Sequence, residues 1–436
     1  MQTASYASAG PKGKLYLQRR SRIGPALATA VFIRPSNIKF AAKRLSHLLQ
    51  PGLTLIAWLI ALTWLWKVIA AARGLPRIPN LLLSQHNLLP AGTPSITVIV
   101  PARNEAADIA ATLHSLLAQD YSNLQIIAVD DRSTDDTAAI VDNIAAQHPA
   151  TLRALHVTEL PSGWLGKTHA MALAARQAHT DYLLFTDADV LFRSDAIRLA
   201  LANAVATSAD HLVTIPTTII RRWDEAAILG FFQIFALWGA RPWRVANPEA
   251  TRDALGVGAF NLLRRSAYLE IGGFESLRME VVEDLGLARR IKRCGLAQRV
   301  TFGQGLVSLH WASGVNGLIN IMTKNLFSAF RFYTWLALLG CLWLLVFCVA
   351  PAIGLFFAPT RVPAVLTLVA VVWAYRLMSR HSGILTWNAL FFPFSALVFV
   401  FALLRSMLIT LQQGGVVWRG TFYSLAELRK NAAPLF

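Results

Sequence analysis

Two hydrophobic rhythms divide this chain. Between residues 95 and 185, short apolar runs alternate with stretches whose apolar residues recur every three or four positions. The runs predict strands at 95–100, 125–129, 152–157 and 182–185. Between them the spacing predicts helices at 107–118, at 137–146 and from about His169 onward. In the first, Ile109, Leu113, Leu116 and Leu117 share one face. The order βαβαβαβ predicts an α/β domain on a doubly wound sheet.

The second rhythm is continuous. Residues 53–72, 335–357, 362–378 and 384–404 are apolar over about 17–23 positions, long enough to cross a bilayer as helices. Pro351 and Pro393 fall inside two of these runs and are expected to kink them. Residues 226–238 and 317–330 are apolar but shorter, and predict helices in the domain or at a membrane interface. Pro76, Pro79, Pro90, Gly92 and Pro94 punctuate a linker. The expected division is a basic arm at 1–50 with no assigned fold, a transmembrane helix at 51–73, a catalytic domain at 94–330, three transmembrane helices at 335–411 and a polar tail at 412–436.

Composition adds a location and a charge. The chain is 55% hydrophobic, too apolar for an ordinary soluble protein, with the excess at its ends. A net charge of +17 suits an anionic membrane surface or a phosphate-bearing substrate. No helix-turn-helix, zinc-finger or RNA-binding signature stands in the sequence, so no nucleic-acid partner is expected. Residues 1–50 lack Asp and Glu and read equally as a cytosolic arm, a targeting peptide or an over-long gene start. Cys294, Cys341 and Cys348 lack metal-ligand spacing and read as buried small residues in a reducing setting.

The polar residues that carry chemistry fall at predicted strand ends, where open α/β sheets bind ligands. Asp187 and Asp189 follow the fourth strand, and two hard oxygen ligands there suit Mg²⁺ or Mn²⁺. Asp130 and Asp131 follow the second strand, and Asn104 and Glu105 follow the first. Glu283 and Asp284 head a predicted helix at 285–293. The first strand is not followed by Gly-x-Gly-x-x-Gly, which argues against a dinucleotide site. Gly166-Lys167-Thr168 is not a P-loop, because Pro161 stands where that motif needs glycine.

Four segments in this order resemble the inverting family 2 glycosyltransferases of GT-A fold. They are Val-Pro-Ala-Arg-Asn-Glu (100–105), Val-Asp-Asp-Arg-Ser-Thr-Asp (129–135), Asp-Ala-Asp (187–189) and Glu-Asp (283–284). The likeness covers roughly residues 94–330. Gly-Trp-Leu-Gly-Lys (163–167) and Thr-Lys-Asn (323–325) look most like membrane-bound members that glycosylate carotenoid-type or hopanoid-type lipids. The Gln-x-x-Arg-Trp signature of processive members is missing after the acidic pair, which favours transfer of a single sugar.

The resemblance implies roles. Asp189 would hold a divalent metal, with Asp187 on the metal or the ribose. Pro101, Asn104, Glu105, Asp130, Asp131, Lys167, Asp187 and Lys324 would bind the nucleotide sugar. Asp284 would be the general base, with Glu283 its neighbour and rival. Gly258, Ala259, Phe260 and Glu283 would meet the acceptor. The implied enzyme moves one hexose, UDP-linked, to a membrane lipid. A polyprenyl-phosphate sugar synthase and a non-catalytic lipid-binding or transport protein stand as alternatives.

Nucleotide sugars are cytosolic, so the catalytic domain of a multi-pass cell-membrane protein should face the cytoplasm. That puts residues 1–50 outside, against the positive-inside rule, and with four spans the C-terminal tail outside as well.

Overall fold

The computed structural model describes residues 35–311, 313–418 and 421–431. Most of the expected arm at 1–50 and the last five residues of the expected tail lie outside the described residues. Residues Leu53–Phe436 form one compact unit.

Helix α1 (Pro35–Gly74) contains the first apolar run. The α/β domain then begins with β1 (Ile96–Ala102), α2 (Ile109–Leu117), β2 (Leu124–Asp131), α3 (Thr137–Gln147), β3 (Leu152–Val157), α4 (Gly166–Gln177) and β4 (Tyr182–Phe185). This is the predicted order. The main difference is α4, which starts at Gly166 and so takes Lys167 into its first turn. Next come β5 (Val190–Phe192), α5 (Ala196–Ala206), β6 (His211–Thr214), β7 (Thr217–Thr218), α6 (Trp223–Gly239), β8 (Asn261–Arg264), α7 (Arg265–Glu270), α8 (Glu283–Arg293), β9 (Gln298–Thr301), β10 (Val307–Leu309) and α9 (Gly314–Ala329).

Seven strands form one sheet in the order β3-β2-β1-β4-β8-β6-β9. β1 to β4 pair in parallel, as do β6 and β9, while β8 runs against β4 and β6. The carboxyl ends of β1, β2, β4, β6 and β9 therefore share one edge, and the chain enters β8 at that same edge. Register fixes the meeting point: Phe185 pairs with Asn261, so residues 256–260 arrive beside the turn after β4. The central strands are apolar on both faces because helices cover both, and β1 is buried along its whole length.

Among the described residues, four helical segments are long and apolar enough to cross a membrane: Gln50–Arg77, Thr334–Gly354, Ala358–Met378 and Thr386–Gln413. The second consists of α10 (Thr334–Leu344), a π-helical turn (Leu345–Val349) and α11 (Ala350–Gly354). Pro351 has no N–H for the carbonyl of Phe347 four residues earlier, and the π turn takes up the mismatch. Trp64 Nε1 of α1 donates to that carbonyl at 3.0 Å. The third segment is α12 (Ala358–Met378).

The fourth segment is a 3₁₀ stretch (Thr386–Phe391) followed by α13 (Phe392–Gln413). Pro393 stands in the first turn of α13, where its missing N–H costs nothing, so it starts this helix and does not kink it. Gly414 adopts the left-handed conformation (φ 67°) that ends α13. The expected polar tail then forms an antiparallel hairpin, β11 (Gly415–Trp418) and β12 (Thr421–Ser424), and a short α14 (Leu425–Asn431). The apolar residues of α6 are packed among α1, α12 and α13, with Phe231 lying 5.1 Å from Phe392 and 4.8 Å from Phe399, ring to ring.

Candidate active site

The shared strand edge gathers the acidic residues. Lys167 Nζ lies 2.6 Å from Asp187 Oδ1 and also pairs with Glu283 Oε1. Burial works against the ammonium, but Asp187 and Glu283 outweigh it and hold Lys167 firmly protonated. Gly258 N donates to Asp284 Oδ2 at 3.0 Å, and Leu285 N donates to Asp284 Oδ1 at 2.6 Å. Gly258 also faces Asp187: a Cβ there would stand 2.5 Å from Asp187 Oδ2. Lys167 and Gly258 thus each join the turn after β4 to the start of α8. A small pocket between them is lined by Lys167, Thr186, Gly258, Asn261, Glu283 and Asp284 among others.

At this edge two carboxyls are displaced upward from the usual range. Burial, then the charge of Glu283, pushes Asp284 up to about 7. Burial, then Asp187, pushes Asp189 up to about 6. Both are set by crowding of like charge in a desolvated site.

The β2 end forms a second cluster. Asp131 is fully buried, takes Arg132 Nε at 2.8 Å and has Arg103 Nη1 at 3.9 Å. A Cβ on Gly166 would stand 2.2 Å from Asp131 Oδ2, so any larger residue there would have to displace that carboxylate. Buried Asp131 Oδ2, Arg132 Nη2 and His169 Nδ1 make no hydrogen bond among the described residues. Such groups gathered at a strand end suit a polar ligand. Asp130 lies against the same loop, with Oδ1 accepting from Ser133 N at 3.2 Å.

Not every expected residue faces the site with its side chain. Pro101 is buried within β1. Asn104, at φ 56°, braces the loops: its Oδ1 accepts from Thr134 N at 2.8 Å, and its N donates to Ser133 Oγ at 3.0 Å. Glu105 N donates to Thr137 Oγ1 at 2.8 Å. Phe260 is buried in the core against Phe192, and Ala259 is buried with its carbonyl taken by Thr186 Oγ1 at 2.8 Å. Of the four residues expected to meet the acceptor, Gly258 and Glu283 line the pocket. Lys324 belongs to α9, and its side chain lies outside the described residues.

Other residues here were not singled out from sequence. Arg103 and Arg132 stand inside the quoted motifs and could have been. Tyr423 of β12 could not: it lies far along the chain, yet it is buried in one cluster with Leu165, beside the start of α4. Trp164 is clamped by Arg278, 4.9 Å over its ring, and Thr168 Oγ1 donates to Arg278 O at 2.7 Å.

Among the described residues no group of three or more His, Cys, Asp or Glu forms a metal cage. Asp187 and Asp189 instead fit a cation that takes one or two protein carboxylates and completes its shell from substrate phosphates and water.

Several known proteins are similar to this chain. A protein of Staphylococcus haemolyticus (strain JCSC1435) named 4,4'-diaponeurosporenoate glycosyltransferase is 27% identical over 238 residues, 54% of this chain and 61% of that protein. The protein of the same name from Staphylococcus aureus (strain USA300) is 27% identical over 349 residues, 76% of this chain and 89% of that protein. Among solved structures, mannosyltransferase PcManGT from Pyrobaculum calidifontis, in complex with GDP-Man and Mn²⁺, aligns over 82% of this chain and 98% of its own, at 19% identity and a TM-score of 0.47. Residues 97–272, which carry the first three motifs and the strands that present them, match the family model for glycosyl transferase family 2.

Proposed function

We propose that this protein transfers a single hexose, with inversion, from a nucleotide sugar to a lipid acceptor at the membrane, the catalytic domain facing the cytoplasm. The observation that carries the proposal is the grouping of Lys167, Asp187, Glu283 and Asp284 around Gly258 at one sheet edge. A carboxyl with its pKa near 7 is suited to take a proton from an alcohol at neutral pH. In the reaction the acceptor oxygen bonds to the anomeric carbon, the bond from that carbon to the diphosphate breaks, and the acceptor proton passes to Asp284. Lys167 offers a fixed positive charge to the departing phosphates.

Asp187 and Asp189 would hold Mg²⁺ or Mn²⁺, which when bound supplies Lewis-acid stabilisation to the diphosphate. Asp130, Asp131, Arg132 and the backbone of the Asn104–Glu105 turn would receive the nucleoside, for which UDP is the proposed carrier. The names of the staphylococcal relatives support an acceptor of carotenoid type, and the apolar helices beside the site support one drawn from a bilayer.

The test is transfer of labelled hexose from UDP-hexose to extracted membrane lipid by purified full-length protein, with and without EDTA. Transfer that stops with EDTA, returns with Mn²⁺ or Mg²⁺ and falls about 10²- to 10⁴-fold in Asp284→Asn is expected. Failure to bind or cleave any nucleotide sugar with either cation would overturn the proposal.

A further inference from the structure

Helix α13 has the length and composition of a membrane span, yet the segments that lead into it and out of it both meet the catalytic domain. Before it, the His381 ring stacks on Phe302 at 4.0 Å, and Gly383 faces the carbonyl of Thr218. Phe302 follows β9, and Thr218 follows β6. After it, Gly414 reverses the chain, and Leu425 N donates to Gly414 O at 2.9 Å. The hairpin then packs Val416 and Tyr423 with Leu165, next to Gly166, which lies against Asp131 at the end of β2. Arg429 Nη2 donates to Phe332 O at 2.8 Å and ties down α14.

These two anchor points lie on the same edge of the sheet, at the carboxyl ends of β9 and β2. Strand order puts β9 and β2 five inter-strand steps apart, about 24 Å. The 22 residues of α13 measure about 33 Å. The helix therefore has the length to run along the sheet edge from one anchor to the other. Crossing a bilayer would oblige the sheet edge that both ends touch to cross as well, carrying Asp131, Asp187 and Asp284 to hydrocarbon depth, where carboxylates are expensive.

We propose that α13 lies in the plane of the membrane surface, and that its apolar outer stripe docks on the lipid of the leaflet facing the catalytic domain. Phe394, Leu397, Phe401, Leu408 and Leu411 form that stripe, exposed along one side of the helix. The opposite side, including Ser395, Phe399, Leu403, Ser406 and Thr410, is buried on protein. Ser406 Oγ donates to Thr323 O at 2.6 Å, and Arg405 donates to Thr323 Oγ1 at 2.8 Å, so α9 runs alongside. Three segments are then left to cross, and the C-terminal hairpin stays on the side of the catalytic domain. This rests on the reading of the protein as membrane-bound but not on its sugar chemistry.

The test is side-specific labelling of the full chain, with Cys294, Cys341 and Cys348 replaced by Ala. An impermeant maleimide is applied to sealed right-side-out and inverted vesicles carrying Arg153→Cys in β3, Phe356→Cys between α11 and α12, or Phe422→Cys in the hairpin. Phe422→Cys should label from the same side as Arg153→Cys and the opposite side from Phe356→Cys. Labelling of Phe422→Cys with Phe356→Cys would overturn the proposal. Labelling of all three from one side would overturn the membrane crossing on which it rests.

A second measurement covers variants that disturb the hairpin. Bimane attached in Phe394→Cys, Phe401→Cys and Leu408→Cys should be quenched equally by a shallow spin-labelled lipid. A deep maximum at Phe401→Cys would mean that the helix crosses. Neither readout uses activity, so failure of the transferase reading would leave both intact.

Discussion

The Lys167 ammonium sits 2.6 Å from Asp187 Oδ1 and bridges to Glu283, joining the turn after β4 to the first turn of α8. It offsets two carboxylates, the buried Glu283 and the half-exposed Asp187. Lys167→Met should therefore destabilise the protein by about 3–5 kcal/mol, the cost of stranding buried charge. Lys167→Met combined with Glu283→Gln should recover much of the lost thermal stability in detergent but not transfer, because the cation offered to the phosphates is still missing. Full recovery of both would mean that the lysine acts only as a structural counter-ion.

Asp284 should govern the acid limb of the pH profile. Its free-enzyme pKa near 7 predicts that kcat/KM rises with pH and levels above about 7, with this limb lost in Asp284→Asn. Stability should run the other way. A carboxyl raised from 3.8 to about 7 costs nothing below pH 4, costs more as pH rises from 4 to 7, and costs fully above 7. Asp284→Asn should then be more stable than the parent at pH 8, on the order of 1–4 kcal/mol, and equal to it near pH 4. Melting curves at the two pH values check this.

Two glycines two residues apart should fail differently. At Gly258 an added Cβ meets the tip of the Asp187 side chain, at 2.5 Å, which can swing away. Gly258→Ala should keep its melting temperature and lose roughly tenfold or more in donor affinity, about 1.4 kcal/mol. At Gly256 the Cβ would stand 1.9 Å from the backbone oxygen of Asp284, which no rotamer relieves. Gly256→Ala should lose about 1–3 kcal/mol of stability as well as activity. Equal melting temperatures for the two variants would contradict this difference between a side-chain and a backbone neighbour.

Asn104 combines a left-handed backbone with a side-chain brace to Thr134. Asn104→Gly keeps the backbone freedom and should cost about 1 kcal/mol for the lost hydrogen bond. Asn104→Ala adds roughly 1–2 kcal/mol of left-handed strain. The expected order of melting temperature is parent, then glycine, then alanine. Alanine above glycine would rule out the strain.

Much of the fold was legible because it is local. Apolar runs and helical spacing located β1 to β4 and the helices between them within a few residues, since burial on both sheet faces leaves a continuous apolar signature. The acidic strand ends were legible because the edge of such a sheet is where ligands bind. Phe260 was misplaced because the resemblance carried it to the acceptor together with Gly258, whereas the turn before β8 sends the phenyl ring into the core. Pro393 looked like a kink because composition does not mark where a helix begins.

By itself, then, the chain determined its strands, its apolar segments and the residue types available for phosphate and sugar chemistry, all set by neighbours within a few positions. Tertiary structure alone decided the rest. The antiparallel entry of β8 carries Gly258 between Asp187 and Asp284. The hairpin after α13 packs Tyr423 beside Leu165 and the start of α4, more than 250 residues earlier in the chain. Such contacts depend on strand order and helix direction, which arise from packing the whole domain and leave no trace in any single stretch of sequence.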